Sequence, residues 1–197
     1  MITDIAISVA GFALFALLHS LLADRDLKRK IFKRWPGVQS YYRALYSLIS
    51  VIILSAWYLL SPFPEGFLYQ VPMPYALVFR IVQILGIAGI YFALKPIGAL
   101  NFLLVTQLDF TSDTSSNSLI TSGVYRYVRH PLYSSSMIIL LFNPSMSFKL
   151  GLITLLFGIY FGIGSIFEER NLKAEFGEVY ERYQQEVPRF IPKIPLF

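Results

Sequence analysis

The chain has 197 residues, 55% of them apolar and only 15% charged, with a mean hydropathy of +0.57. A soluble domain is about a quarter charged, so this surface carries too little charge to face water on all sides. Cysteine is absent, which excludes disulfides, thiolate metal sites, iron–sulfur clusters and a cysteine nucleophile; the net charge of +5 suits nucleic acid or an anionic membrane, and the hydropathy favours the membrane.

A spanning helix needs about 20 mostly apolar residues. Residues 5–23 form such a run, broken only by Ser8, His19 and Ser20. No basic segment precedes it and no clear cleavage site follows, so it is expected to be retained rather than removed as a signal peptide. Further runs cover 45–60, 75–94 with Arg80 near its start, 132–148 with Asn143-Pro144 inside it, and 150–167. Only Lys149 and its neighbours part the last two, which predicts an antiparallel helical hairpin. No alternation at period two is evident, so a barrel is not expected, and backbone groups in lipid must then pair within helices. Gly158 and Gly162, four apart, are expected to let the last helix pack closely.

Between the runs, residues 94–108 are semi-apolar and read as a kinked continuation or an interfacial helix, and 109–122, rich in Ser, Thr, Asp and Asn, read as a cytosolic loop or a mobile lid. From 168 to 187, Leu172, Phe176, Val179, Tyr180, Tyr183 and Val187 recur at spacings of three and four, and Pro188 ends the pattern. The fold class expected is all-α: a polytopic membrane protein with about five transmembrane helices, the last two a hairpin, and a cytosolic C-terminal amphipathic helix. Residues 1–108 would form the N-terminal helices and connecting segment, and 109–197 a ligand-binding half.

Basic residues crowd after the first run (Arg25, Lys28, Arg29, Lys30, Lys33, Arg34, Arg43), are absent from 61–74, and return at Arg126, Arg129 and in the tail. By the positive-inside rule the N-terminus lies outside and the C-terminus in the cytosol. The same rule, with attraction to anionic lipid, accounts for the basic patch, so no nucleic-acid partner is expected. With two histidines far apart, no metal site is expected either.

Two polar clusters reach the cytosolic rim in this topology. One is the adjacent pair Glu168 and Glu169; the other runs Gly123-Val124-Tyr125-Arg126-Tyr127-Val128-Arg129-His130-Pro131-Leu132-Tyr133. Together they suit a zwitterionic ligand carrying an aromatic group. Solvated acids and a Tyr/Arg anchor belt fit the same residues equally well.

Arg129-His130-Pro131-Leu132-Tyr133, preceded by Gly123-Val124-Tyr125, resembles the first half of the signature of the isoprenylcysteine carboxyl methyltransferase family. Glu168-Glu169-Arg170-Asn171-Leu172, Phe176-Gly177, Tyr180, Tyr183 and 187–192 resemble its second half, so the likeness covers 119–192. His19-Ser20-Leu21, Tyr42-Arg43 with Tyr46, and Asn143-Pro144-Ser145-Met146 are more loosely similar to methanethiol S-methyltransferases and NnrU-like proteins.

The resemblance implies an integral-membrane methyltransferase using S-adenosylmethionine, with S-adenosylhomocysteine as product and no Rossmann domain. It further implies a cytosol-facing cofactor pocket formed by Tyr125, Val128, Arg129, His130, Pro131, Tyr133, Glu168, Glu169 and Tyr180. Glu168 or Glu169 would accept hydrogen bonds from the ammonium or adenosine, and Arg129 or Arg189 would meet the carboxylate. The acceptor would be a lipophilic carboxylate of the isoprenylcysteine kind or a thiol. A thiol near pKa 8.5 is mostly protonated at neutral pH, so His19 would take its proton and Arg43 would stabilise the anion; Arg43, His19 and Arg189 are the expected catalytic residues. His19 also fits an interhelical hydrogen bond and Arg43 a membrane anchor. The alternatives to this enzyme are a non-catalytic accessory protein of the same fold and an NADPH-dependent reductase of the sterol-reductase kind.

Overall fold

In the computed structural model the described residues are 2–96, 98 and 119–193. Residues 97 and 99–118, which include 109–118 of the expected lid and the expected boundary at 108, lie outside them. The described residues divide into two compact units, 2–64 with Gly98, and 65–96 with 119–193, so the third apolar run stands with the C-terminal residues.

The first unit holds α1 (Ile2–Ala23), α2 (Arg25–Arg34), a 3₁₀ turn at Pro36–Val38 and α3 (Tyr42–Leu60). At 1.5 Å per residue α1 is about 33 Å long, enough to cross the hydrocarbon core. It ends at Asp24, whose carboxylate accepts the Leu27 amide at 2.8 Å and caps α2. Gly11 lets α1 approach α3: a Cβ there would lie 2.8 Å from Trp57 Cδ1. The Trp57 indole donates to the Ser8 carbonyl at 2.8 Å, and the Tyr42 hydroxyl to the Leu22 carbonyl at 2.8 Å. Buried Trp57 meets Phe12 edge to face. Leu14, Leu17, Leu48, Val51 and Ile52 point outward, more than half of each exposed, as suits a surface solvated by lipid.

The second unit holds β1 (Phe67–Gln70), α4 (Tyr75–Leu94), a 3₁₀ turn at Gly123–Arg126, α5 (Pro131–Leu141), β2 (Ser145–Ser147), α6 (Phe148–Phe176) and α7 (Glu178–Glu186). The two strands are antiparallel, pairing Tyr69 with Met146 and Gln70 with Ser145. The apolar run 132–148 is therefore not one helix. Pro144 disfavours helix at Asn143, and the Asn143 side chain accepts the Ser145 amide at 3.0 Å, turning the chain into β2. What remains, α5, has 11 residues and is about 16 Å long. Ser147 then caps α6 by accepting the Leu150 amide at 3.1 Å. Among the described residues four helices, α1, α3, α4 and α6, are long and apolar enough to cross a membrane, and the protein is an integral membrane protein.

The tail expected as one helix over 168–187 divides at Gly177, where φ is +53°, a region glycine enters without strain. Its first half continues α6, which at 29 residues is about 43 Å long and outruns the hydrocarbon core. Close helix approach is expected from the sequence at Gly158 and Gly162: a Cβ on Gly158 would lie 3.3 Å from Met137 Cε of α5, a tight contact with a flexible side chain, whereas among the described residues nothing stands within 4 Å of a Cβ on Gly162. The tightest helix contact is α4 against α5, where Gly86 faces Ile139 and Gly89 faces Ser135.

Candidate functional site

The site forms where α5 begins, α6 ends and the tail returns. Pro131 opens α5, its missing amide harmless at a helix start. Just before it, the Arg129 amide donates to the Pro188 carbonyl at 2.9 Å and the His130 amide to the Arg189 carbonyl at 3.1 Å. Ser134 Oγ donates to the Phe190 carbonyl at 2.7 Å. These bonds seat residues 129–134 against 188–190. Below them Tyr180, Tyr183 and Val187 form an apolar cluster with Leu119, Leu172 and Phe176. The Tyr183 hydroxyl donates to the Tyr125 carbonyl at 2.6 Å, and the Tyr125 hydroxyl to the Ala93 carbonyl at 3.2 Å, tying α7, the 3₁₀ turn and α4 together.

Glu169 stands at the centre, 4% exposed. Arg129 Nε donates to Oε1 at 3.0 Å, Arg189 spans both oxygens at 3.0 and 2.6 Å, Gln184 Nε2 donates to Oε2 at 2.8 Å, and His130 Nε2 lies 3.1 Å from Oε1. Arg129 also donates to the carbonyls of Gln184, at 3.1 Å, and Val187. A carboxylate offers about four lone-pair sites, so Glu169 has none left for a ligand. The bond to Glu169 raises the Arg189 pKa, keeping the guanidinium fully charged. Glu168, about 100° further round the helix, is half exposed; it accepts from the Tyr133 hydroxyl at 3.1 Å and faces His130 Nδ1 at 3.4 Å.

The rings of His130, Tyr133 and Phe161 stack in parallel, with centroids 5.3 and 4.7 Å apart. Beyond them lies a cavity of about 480 Å³ walled by Tyr133, Met137, Phe161, Gly162, Phe190 and Ile191. The lining is almost wholly apolar and reaches Gly158 in the spanning part of α6.

Of the residues singled out in the sequence, Arg129, His130, Pro131, Tyr133, Glu168, Glu169, Tyr180 and Arg189 come together here. Val128 is buried beside Arg129, and Tyr125 is a bracket between elements. His19 and Arg43 belong to the first unit. His19 lies in a network with Tyr46 and Ser50, and Arg43 is half-buried at the start of α3. Sequence reasoning missed Gln184, Ser134 and Phe161. Gln184 stands one turn after Tyr180, and Phe161 two turns before Glu168, so both share a face with a residue already marked. Among the described residues no group of three or more His, Asp or Glu could hold a metal ion.

Tyr180 is 1% exposed and, among the described residues, its hydroxyl has no hydrogen-bond partner. Burial, with the charge of Glu169, pushes its pKa up to about 12, and burial raises Tyr183 as well. A raised phenol pKa leaves stability intact below the unfolded value near 10. Above that the unfolded chain ionises first, so stability falls as pH rises through about 12. The melting temperature in detergent is expected to hold to pH 10 and then drop. Tyr180→Phe, which removes an unsatisfied hydroxyl, should melt no lower at pH 7 and drop less above pH 10; a profile identical to the parent's would contradict this.

The family model for the isoprenylcysteine carboxyl methyltransferase (ICMT) family matches residues 79–174. The chain is 30% identical to the methanethiol S-methyltransferase of Pseudomonas deceptionensis over 95% of its own length and 72% of the relative's. It is 28% identical to methanethiol S-methyltransferase 2 of Bradyrhizobium diazoefficiens over 96% and 74%. To the protein-S-isoprenylcysteine O-methyltransferase of Schizosaccharomyces pombe it is 40% identical, over 39% of this chain and 34% of that one. No solved structure matches it.

Proposed function

The chain belongs to the isoprenylcysteine carboxyl methyltransferase family and is a membrane methyltransferase, and we propose that it moves a methyl group from S-adenosylmethionine to a thiol or to an isoprenylcysteine-like carboxylate. The likeness to proteins named methanethiol S-methyltransferase, over 95–96% of this chain and 72–74% of theirs, favours the thiol. The observation that carries the donor is the division of labour between the two acids. Glu169 is used up in holding Arg129 and Arg189, while Glu168 keeps an exposed carboxylate beside stacked rings.

The residues present fit that donor. Glu168 supplies an anion for its ammonium, and Arg189, about a third exposed, a cation for its carboxylate. Among the described residues the Tyr180 hydroxyl is a buried polar group without a partner, and Phe161, at the end of the ring stack and lining the cavity, offers a ring face to adenine or to positive charge. When bound, the donor supplies an activated methyl on a sulfonium, so the protein need offer no nucleophile. Its own work is alignment and exclusion of water, and alignment alone can contribute roughly 7–11 kcal/mol. For a thiol acceptor, His19 is the proposed final holder of the proton that the thiol loses, and Arg43 the cation that stabilises the anion. The basic face of α2 supports a topology with the N-terminus outside and the C-terminus cytosolic, in which α5 with residues 142–147, and then α6, make the last two of five passages.

Thermal shift and calorimetry in detergent test the reading. S-adenosylhomocysteine is expected to bind and raise the melting temperature, and NADPH to do neither; the reverse, or no response to either, would overturn it. Glu168→Gln should weaken S-adenosylhomocysteine about tenfold, the value of one hydrogen bond to a charged group, without lowering the melting temperature. Unchanged affinity would remove Glu168 from the donor site.

A further inference from the structure

The second unit carries a cavity of about 390 Å³ at its end away from the clasp, between the start of α4 and the paired strands. Gln70 on β1 and Ser145 on β2 stand opposite each other, so their side chains rise from one face, and both line the cavity. The third polar residue in the lining is Arg80, about 7.5 Å along α4 from Tyr75. Met73, Leu77 and Pro144 add apolar walls, and among the described residues no acid lines the cavity. Among those residues the polar partner of Arg80 is Gln83, whose Oε1 accepts from Nη1 at 3.0 Å. Gln83 Nε2 donates to the Ile139 carbonyl of α5 at 2.9 Å, which fixes the end it turns to Arg80. A guanidinium has five N–H donors, so four remain. An arginine that only anchors a helix end reaches outward to the interface; this one donates to a residue about 4.5 Å deeper in the span.

We propose that Arg80, Gln70 and Ser145 hold the phosphodiester of an anionic phospholipid from the leaflet on this side of the membrane. All three can donate hydrogen bonds, and the arginine fork matches a pair of phosphate oxygens. With no carboxylate in the lining, nothing balances the ammonium of a choline headgroup, so a headgroup of net negative charge is preferred. The apolar tail has a path. Leu77, Ile81 and Ile84 recur at spacings of four and three beside Arg80, each more than half exposed, and carry the same face of α4 into the span. An unneutralised cation on a membrane helix is costly; the phosphate removes that cost and bridges α4 to both strands. The site lies apart from the clasp and does not rest on the methyl-transfer reading.

Purified protein in a neutral detergent is titrated with phosphatidylglycerol, phosphatidylcholine or inorganic phosphate, with bound lipid counted by native mass spectrometry and the melting temperature read in parallel. Phosphatidylglycerol is expected to bind and to raise the melting temperature, and the other two to do so far less. The basic face of α2 attracts anionic lipid as well, so variants decide the place. Arg80→Gln should weaken the tightest phosphatidylglycerol adduct about tenfold, the value of one hydrogen bond to a charged group. Ser145→Ala should weaken it about threefold, and covers the case in which Arg80→Gln folds poorly. Lys30→Gln combined with Lys33→Gln should leave that adduct and the melting shift in place. Full affinity in both Arg80→Gln and Ser145→Ala, loss of the adduct in the lysine pair, or an equal response to phosphatidylcholine or inorganic phosphate overturns the site and leaves Arg80 as an interfacial anchor.

Discussion

Glu169→Gln is expected to cost the second unit about 3–5 kcal/mol, the range for removing one partner of a buried ion pair. Arg129 has 9% of its side chain exposed and Glu169 5%, so neither charge can be handed to water. The amide keeps the shape of the carboxylate but loses its charge, and its NH₂ would face donors on Arg189 or Gln184 where Oε2 now accepts. The loss should appear as a fall in melting temperature in detergent and as weaker donor binding, because residues 129–130 and 189 are all fastened to this one carboxylate. Glu168→Gln, one position away but half exposed, should leave the melting temperature in place. Equal melting of the two variants would mean that Glu169 does not anchor the clasp.

That contrast marks where sequence reading stops. Hydropathy located α1, α3, α4 and the first two-thirds of α6, because twenty apolar residues in a row have few other uses. Two motif blocks placed the clasp at the ends of the last two helical segments, since the chemistry of Arg, His, Tyr and Glu is readable from their identities. Which of two neighbouring acids is buried is not, because they differ by a rotation of about 100° on one helix and only packing sets that rotation. Gln184 was invisible for a similar reason: a polar residue on a charged short helix has no mark of its own until Glu169 is seen beneath it. The strand at 145–147 hid inside an apolar run, and Asn143-Pro144 was its one local sign. Gly177 was read as part of a motif when its backbone angle is what breaks the tail.

Glycine spacing misled in the same way, and leucine substitutions expose the difference. Gly89→Leu puts a Cβ 2.3 Å from Ser135 Oγ and 3.2 Å from Ser135 Cβ, closer than real atoms approach, so Ser135 must move. Gly86→Leu meets Ile139 at 2.7 Å and the Ser135 carbonyl at 3.1 Å. Overpacking commonly costs about 1–3 kcal/mol; Ser135 stands in the way of both, with its side chain at Gly89 and its carbonyl at Gly86, so each variant should reach the upper part of that range, and both together should prevent α4 and α5 from docking. Gly162→Leu meets nothing within 4 Å and gains helix propensity, about 1 kcal/mol relative to glycine. Its melting temperature should hold or rise. The same side chain would project into the cavity beside Phe161, so turnover with a bulky lipophilic acceptor should drop more than with methanethiol. Motif spacing cannot separate Gly89 from Gly162, because what distinguishes them is whether another helix lies opposite, and destabilisation of Gly162→Leu as deep as that of Gly89→Leu would show that a partner covers α6 there after all.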